Sequence, residues 1–271
     1  MARLRRAVEE IEARSGPVET RAGARLSLTR TLDRALGGGL AGDALHEIVP
    51  ATPGDGAAAM GFALALAVRF MAEHSAAGLL MAEDFAGRDT GSLYGPGLVA
   101  HGLDLGRLVF VRAPDAPALF QAMEEALKSG APAVVVGEVW RLQKYDLAVS
   151  RRLALAARAG RAPALLVQAS AYRAADRISS AAETRFEISA APSAHLASAG
   201  GGRGLPGPPA FAARLVKARL SSARGPPIGL DTARVIRLTW RSEDKQFDEP
   251  AISLPLVAAS GDGSRAARAP N

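Results

Sequence analysis

Five short apolar runs, separated by helical stretches, constrain this chain more than any other feature. They are residues 45–49 (LHEIV), 78–82 (GLLMA), 108–112 (LVFVR), 133–137 (AVVVG) and 164–168 (ALLVQ). Short apolar runs without polar alternation predict buried strands, and the helices between them predict βαβ units. Helices are expected over 57–71, 93–102, 116–129 and 147–159. The expected class is therefore α/β, a mostly parallel sheet with helices on both faces. Beyond residue 184 the pattern changes. Residues 185–189, 211–217 and 235–241 alternate apolar and polar positions and read as antiparallel strands that extend the sheet, with a Gly/Pro/Ser-rich loop at 192–209.

Ligands of parallel sheets bind beyond the carboxyl ends of the strands. The first of those ends runs into residues 50–56 (PATPGDG) and then an apolar helix. That is the strand–loop–helix context of a nucleoside triphosphate site. Such a site needs a Lys on the β/γ-phosphates and a Ser or Thr on Mg²⁺. Here the helix opens Ala57-Ala58-Ala59-Met60, and the first Lys of the chain is Lys128. Arg69 follows Gly56 by 13 residues, about 20 Å along a helix and out of reach. Gly54 and Gly56 could still offer backbone N–H groups to an anion, at about 0.3–1 kcal/mol for an exposed helix end. The other reading is a tight turn without a ligand. Glu83, with Asp84, ends the second strand, where pairing with Arg88 or capping of a helix is expected. No catalytic residue, cofactor or metal is expected. His46, His74, His101 and His195 are scattered without metal-ligand spacing.

At 271 residues the chain suits one domain plus tails. It has no cysteine, which excludes disulfides, thiolate metal sites and cysteine nucleophiles and leads us to expect a cytoplasmic protein. The basic N-terminal stretch lacks an apolar core, so no signal peptide is expected. The longest apolar run, 57–72, is broken by Gly61 and Arg69 and reads as too short to span a bilayer, so no membrane partner is expected. Charge is divided unevenly. Residues 1–139 hold 13 basic and 17 acidic side chains, and residues 140–271 hold 20 and 10. A basic half suggests a polyanion or an acidic protein as partner. Lys144, Arg151, Arg152, Arg173 and Arg177 are the candidates for a rim contacting DNA or a partner. The alternative is solvated helix faces and ion pairs to Asp146 and Asp176. Residues 2–14 form a candidate partner helix, with Leu4, Val8 and Ile11 on one face, to dock on a neighbouring subunit or on its own core. The run Gly37-Gly38-Gly39 predicts positive φ and close backbone approach.

The order of landmarks, LDRALGGGL, LHEIV, the degenerate loop, MAEDF, HGLDLGRLVFV, AMEEALKSGAPAVVVGEV and AETRFEI, resembles the RecA-like recombinase core over roughly residues 25–242. More closely, RDTGSLYGPG (88–97), SRRLALA (150–156) and AAETRF (181–186) are similar to the ImuA family, RecA-related accessory proteins of damage-inducible mutagenesis. The resemblance implies a RecA-like domain over 25–242, flanked by an N-terminal helix and linker (1–24) and a tail (243–271). It implies a non-catalytic role in SOS mutagenesis and translesion synthesis. The implied partners are an inactive Y-family polymerase homologue (ImuB), an error-prone C-family polymerase, and RecA or DNA.

Departures from the recombinase pattern matter as much. The acid that activates water in RecA-like ATPases would be Glu83, but without a held triphosphate no such water is positioned. The magnesium acid would close the strand at 133–137, yet the first carboxylate, Glu138, comes one place later. The DNA-binding loops would fall near 140–146 and 172–180, both short. The tail segment 251–257 (AISLPLV) resembles a sliding-clamp peptide but carries Ala251 and Val257 where Gln and an aromatic residue belong. Two other readings stay open: an atypical ATPase or recombinase, and a protein like the SOS cell-division inhibitor.

Overall fold

A computed structural model describes residues 24–84, 93–172, 179–193, 195–196, 205–219 and 231–249 of the chain. The elements, in chain order, begin with β1 (Arg25–Leu26), α1 (Arg30–Ala35), β2 (Leu40–Ala41), β3 (Leu45–Pro50), α2 (Gly56–Ala72) and β4 (Gly78–Glu83). Next come α3 (Gly95–Ala100), β5 (Leu108–Ala113), α4 (Ala116–Ser129), β6 (Val134–Val139), α5 (Leu147–Gly160) and β7 (Ala164–Gln168). The last strands are β8 (Thr184–Ala190), β9 (His195–Leu196), β10 (Leu205–Pro206), β11 (Ala210–Ala218), β12 (Val235–Arg241) and β13 (Gln246–Asp248). The main sheet has nine strands in the order β13-β12-β11-β8-β3-β7-β6-β4-β5. From β8 to β5 every pairing is parallel, and from β8 to β13 every pairing is antiparallel. This is a RecA-like α/β fold with an antiparallel C-terminal extension.

Two layers of helix cover the sheet because each strand sends alternate residues to opposite faces. Ile48, Leu80, Val134, Val136, Leu165 and Val167 meet α2 on one face. Leu45, Leu79, Met81, Val135 and Leu166 meet α4 and α5 on the other. By length and composition, Pro53–Ala72 could cross a bilayer. Its apolar side chains, Phe62, Leu64, Leu66, Val68 and Phe70 among them, are buried against the sheet instead. Asp115 and Asp146 cap α4 and α5 by accepting from Ala118 N and Val149 N at 2.9 and 2.8 Å. All three glycines of the run 37–39 have positive φ, as the sequence predicts. At Gly39, φ is +114° and a Cβ would stand 2.5 Å from the Leu26 carbonyl oxygen, so no side chain fits.

Three features depart from the sequence reading or add to it. The strand expected at 185–189 is antiparallel to β11, as read, but it is also the junction with the parallel part of the sheet. β8 pairs with β3 in parallel, His46 opposite Thr184 and Ile48 opposite Phe186. Alternation of polarity reports which faces are wet and carries no information on strand direction. The run at 108–112 is not a buried strand. β5 is the sheet edge, paired only with β4 among the described residues, and Phe110 is 41% exposed. The sheet also runs past residue 242. β13 pairs with β12, and Phe247 packs against Phe62 and Trp240 at centroid distances of 5.4 and 4.9 Å. Phe62 also meets Phe186 and Phe211 at 5.5 and 5.8 Å. One aromatic cluster on α2 therefore binds the extension into the same core, at about 1.5–3 kcal/mol per buried ring. Glu249 accepts from Thr31 N and Oγ1 at 3.2 and 2.6 Å, which fixes the chain just beyond β13.

His46 lies in the middle of this core with no exposed surface. Its Nε2–H donates to the Ala41 carbonyl and its Nδ1 accepts from the Thr184 hydroxyl, both at 2.8 Å. Burial pushes its pKa down to about 4, against the bond to Ala41 and assisted by the nearby Arg25 charge. The folded value lies below the unfolded 6.5, so on acidification the unfolded chain takes up this proton first. The contribution of neutral His46 is intact above the unfolded value, falls as pH drops through the window, and levels off below about 4. Urea unfolding between pH 7 and pH 4 should show the wild-type chain losing about 3 kcal/mol more than His46→Gln across that window.

Candidate functional site

The carboxyl ends of the parallel strands gather residues 50–56, Glu83, residues 138–146 and residues 168–172. Within 50–56 the backbone does not open into a cradle. Pro53–Asp55 make one 3₁₀ turn that runs straight into α2. Gly56 already has helical angles (φ −54°, ψ −44°), and neither Gly54 nor Gly56 takes a positive φ. A Cβ on Gly56 would meet nothing within 4 Å, and one on Gly54 only Thr52 Oγ1 at 3.8 Å. Neither glycine is required by the geometry of this turn.

The chain's own anion stands beside the N-terminus of α2 without capping its N–H groups. Asp55 is buried, and its Oδ2 accepts from Thr52 N at 3.0 Å and from Thr52 Oγ1 at 2.6 Å. Its Oδ1 accepts from Ala190 N at 2.9 Å. Ala51 N donates to the Ile188 carbonyl at 2.8 Å, so the loop is pinned to the end of β8 from two sides. A phosphate in this place would lose the Thr52 N–H and face the Asp55 carboxylate. The helix end offers an anion about 0.3–1 kcal/mol, while two unit charges 4 Å apart repel by about 4 kcal/mol at an effective dielectric of 20. Repulsion wins. The sequence reading passed over Asp55, although Thr52-Pro53-Gly54-Asp55 before an apolar helix is the spacing of a capping box.

Glu83 stands three strand spacings from β3, about 14 Å across the sheet. Its Oε2 accepts from Trp140 N at 2.6 Å and Arg141 N at 3.2 Å, which ties the end of β4 to the turn after β6. The acid holds backbone here. Asp84 pairs with Arg112 at 3.6 Å, and Arg88 lies outside the described residues. Glu138 belongs to β6, and its Oε1 accepts from Trp140 Nε1 at 3.2 Å. Burial raises its pKa, the Trp140 bond opposes this, and the charge of Glu83 adds to it.

The basic candidates are only partly brought together. Lys144 closes a 3₁₀ turn at Leu142–Lys144, and Arg151 lies in the first half of α5; both are exposed. Neither has an ion-pair partner among the described residues. Arg152 turns the other way and pairs with Glu124 of α4 at 2.5 Å, next to Lys128 at 2.6 Å. Burial alone would raise the Glu124 pKa, but Lys128 and Arg152 hold it below the usual range. Asp146 caps α5 and makes no ion pair with these bases among the described residues. Arg173, Arg177, Leu4, Val8 and Ile11 lie outside the described residues.

A buried polar cluster behind this rim went unread in the sequence. Glu47 of β3 is fully buried and meets Arg185 of β8, its register partner, at 2.6 Å. Ser180 Oγ donates to Glu47 Oε2 at 3.0 Å, and Tyr145 donates its hydroxyl proton to Glu47 Oε1. Burial and the Glu47 charge push the Tyr145 pKa upward, so the phenol stays protonated. Lys217 of β11 donates to Ser180 O at 2.7 Å and to Ser180 Oγ at 3.1 Å. Burial lowers the Lys217 pKa to about 8, although Glu47 acts to raise it. The signal was present in LHEIV, because a Glu inside an apolar strand demands a buried partner.

No protein-family model matches the chain, and no curated protein matches it. Among solved structures it is similar to SulA from Pseudomonas aeruginosa, with 25% sequence identity, covering 46% of this chain and 96% of that chain. The TM-score is 0.35, too loose a superposition to carry an argument about function.

If the turn is closed by its own carboxylate, its glycines are dispensable and its Asp is not. Gly56→Ala should leave stability unchanged or raise it by about 0.4–1 kcal/mol. Asp55→Ala should cost about 1–3 kcal/mol by exposing orphaned donors. Urea unfolding of both variants measures the contrast.

Proposed function

We propose that this chain is a non-catalytic, RecA-like accessory protein of DNA-damage-inducible (SOS) mutagenesis and translesion synthesis, as the resemblance to the ImuA family implies. The observation that supports it most is the turn at 50–56. It has no Lys, its helix opens on three alanines, and the buried carboxylate of Asp55 stands in it, bonded to Thr52 and Ala190. A fold of this class without a cationic grip is left with its surfaces. In this reading those surfaces meet an ImuB-like polymerase homologue and an error-prone C-family polymerase, with RecA or DNA as further contacts. Exposed Lys144 and Arg151 offer charge to such a partner. A contact of that kind is salt-sensitive and blind to sequence. The absence of cysteine suits a reducing cytoplasm.

Titration of the purified protein with ATP and Mg²⁺ should show no binding in the micromolar range and no turnover, alone or with single-stranded DNA. Affinity capture from DNA-damaged cells should bring down the polymerase homologue and the C-family polymerase together. Magnesium-dependent micromolar ATP binding would overturn the non-catalytic reading. Capture dominated by the tubulin-like division protein would replace the mutagenesis reading with division inhibition.

A further inference from the structure

Helix α5 turns two leucines to solvent. Leu147 is 51% exposed and Leu155 58%. With Arg151 and Arg158, also exposed, they recur at i, i+4, i+8 and i+11, one stripe along the helix. The core-facing residues of α5, Ser150, Leu153, Ala156 and Ala157, lie on the opposite side. The core does not explain an exposed leucine stripe edged by arginines. At the N-terminal end of the stripe stands the exposed carboxylate of Asp146.

The described chain begins beside the other end of this helix. Arg25 pairs with Glu183 at 3.5 Å, and the charge of Arg158 acts on the same Glu183 carboxyl. Upstream of Ala24 lie 23 residues. Of these, 2–14 carry Leu4, Val8 and Ile11 at i, i+4 and i+7, with Arg3, Arg5 and Arg6 in the first half and Glu9, Glu10 and Glu12 in the second. As a helix this segment is about 20 Å long, close to the length of α5. Leu4 to Ile11 spans about 10 Å and Leu147 to Leu155 about 12 Å. Residues 15–23 can bridge up to about 30 Å, more than the return to Ala24 requires.

We propose that residues 2–14 dock in cis along α5, parallel to it, with Leu4, Val8 and Ile11 covering Leu147 and Leu155. That orientation brings the acidic half of the segment to Arg151 and Arg158 and its basic half to Asp146. It also leaves residue 14 at the end of α5 where the described chain begins.

The chain has no cysteine, so single introduced thiols report cleanly. In the full chain, Leu155→Cys should react with a maleimide several-fold more slowly than in the same chain carrying Val8→Glu, or with residues 1–14 removed. Under mild oxidation, Ile11→Cys with Leu155→Cys should close an intramolecular disulfide at a yield independent of protein concentration. Ile11→Cys with Lys128→Cys, on α4, should not. Equal maleimide rates in all three chains, or no disulfide, would overturn the docking. Disulfide-linked dimers that grow with concentration would overturn the cis arrangement and assign the stripe to a second copy.

Discussion

One buried carboxylate holds this architecture in register. Glu47 sits in the central strand, out of contact with water, and accepts from side chains on three other segments. These are Arg185 on β8, Tyr145 before α5 and Ser180 before β8. A charge in that position is tolerated only because each carboxylate oxygen is met, and removal of one partner of such a pair typically costs about 3–5 kcal/mol. The arrangement has a topological consequence. Parallel pairing of β8 with β3 sets Arg185 beside Glu47, and a one-residue slip would turn the guanidinium to the opposite face. The same carboxylate that requires a partner thereby selects the register of the strand that supplies it.

Asp55 does for the loop what Glu47 does for the sheet. In a phosphate-binding turn the backbone donors converge on a ligand and remain unmet until it arrives. Here a carboxylate of the chain lies in the turn, and Asp55 accepts from Thr52 within it and from Ala190 at the end of β8. The extension beyond β8 is thus tied to the core twice, by this contact on one side of α2's N-terminus and by the aromatic cluster around Phe62. Both ties use α2, the apolar helix whose first turn would otherwise serve the ligand.

The layered core was legible in the sequence because burial leaves a direct imprint on composition. The runs at 45–49, 78–82, 133–137 and 164–168 became central strands, and 116–129 became a helix with the expected limits. Direction and position in the sheet leave no such imprint. LVFVR at 108–112 is as apolar as AVVVG at 133–137, yet one is the edge and the other is central. TRFEIS alternates whether its neighbour runs parallel or antiparallel. The candidate site was legible in its missing Lys, because the lack of a residue type can be read in one dimension. It was not legible where chemistry is assembled. Glu47, Tyr145, Ser180, Arg185 and Lys217 are spread over more than 170 positions, and only the fold makes them neighbours. Glu83 is expected from the sequence to pair with Arg88 or to cap a helix. It lies at the strand end where a catalytic acid would be sought, but its nearest donors are the backbone N–H groups of Trp140 and Arg141.

These internal bonds decide what the carboxyl end of the sheet can offer. Asp55 and Glu47 accept from the chain through both carboxylate oxygens, and Glu83 through Oε2 alone, its Oε1 being buried without a hydrogen-bond partner among the described residues. The bases divide in the same way. Arg185 is buried against Glu47, Arg152 lies on Glu124, and Arg214 holds Glu187 at 2.8 Å. Lys144 and Arg151 remain exposed at this end without an ion-pair partner among the described residues. Both are close to Tyr145, whose hydroxyl is fixed by Glu47. Their backbone is therefore held by the most deeply buried charge in the fold, while their side chains face out. Such a surface presents charge at fixed positions at the carboxyl end of the sheet.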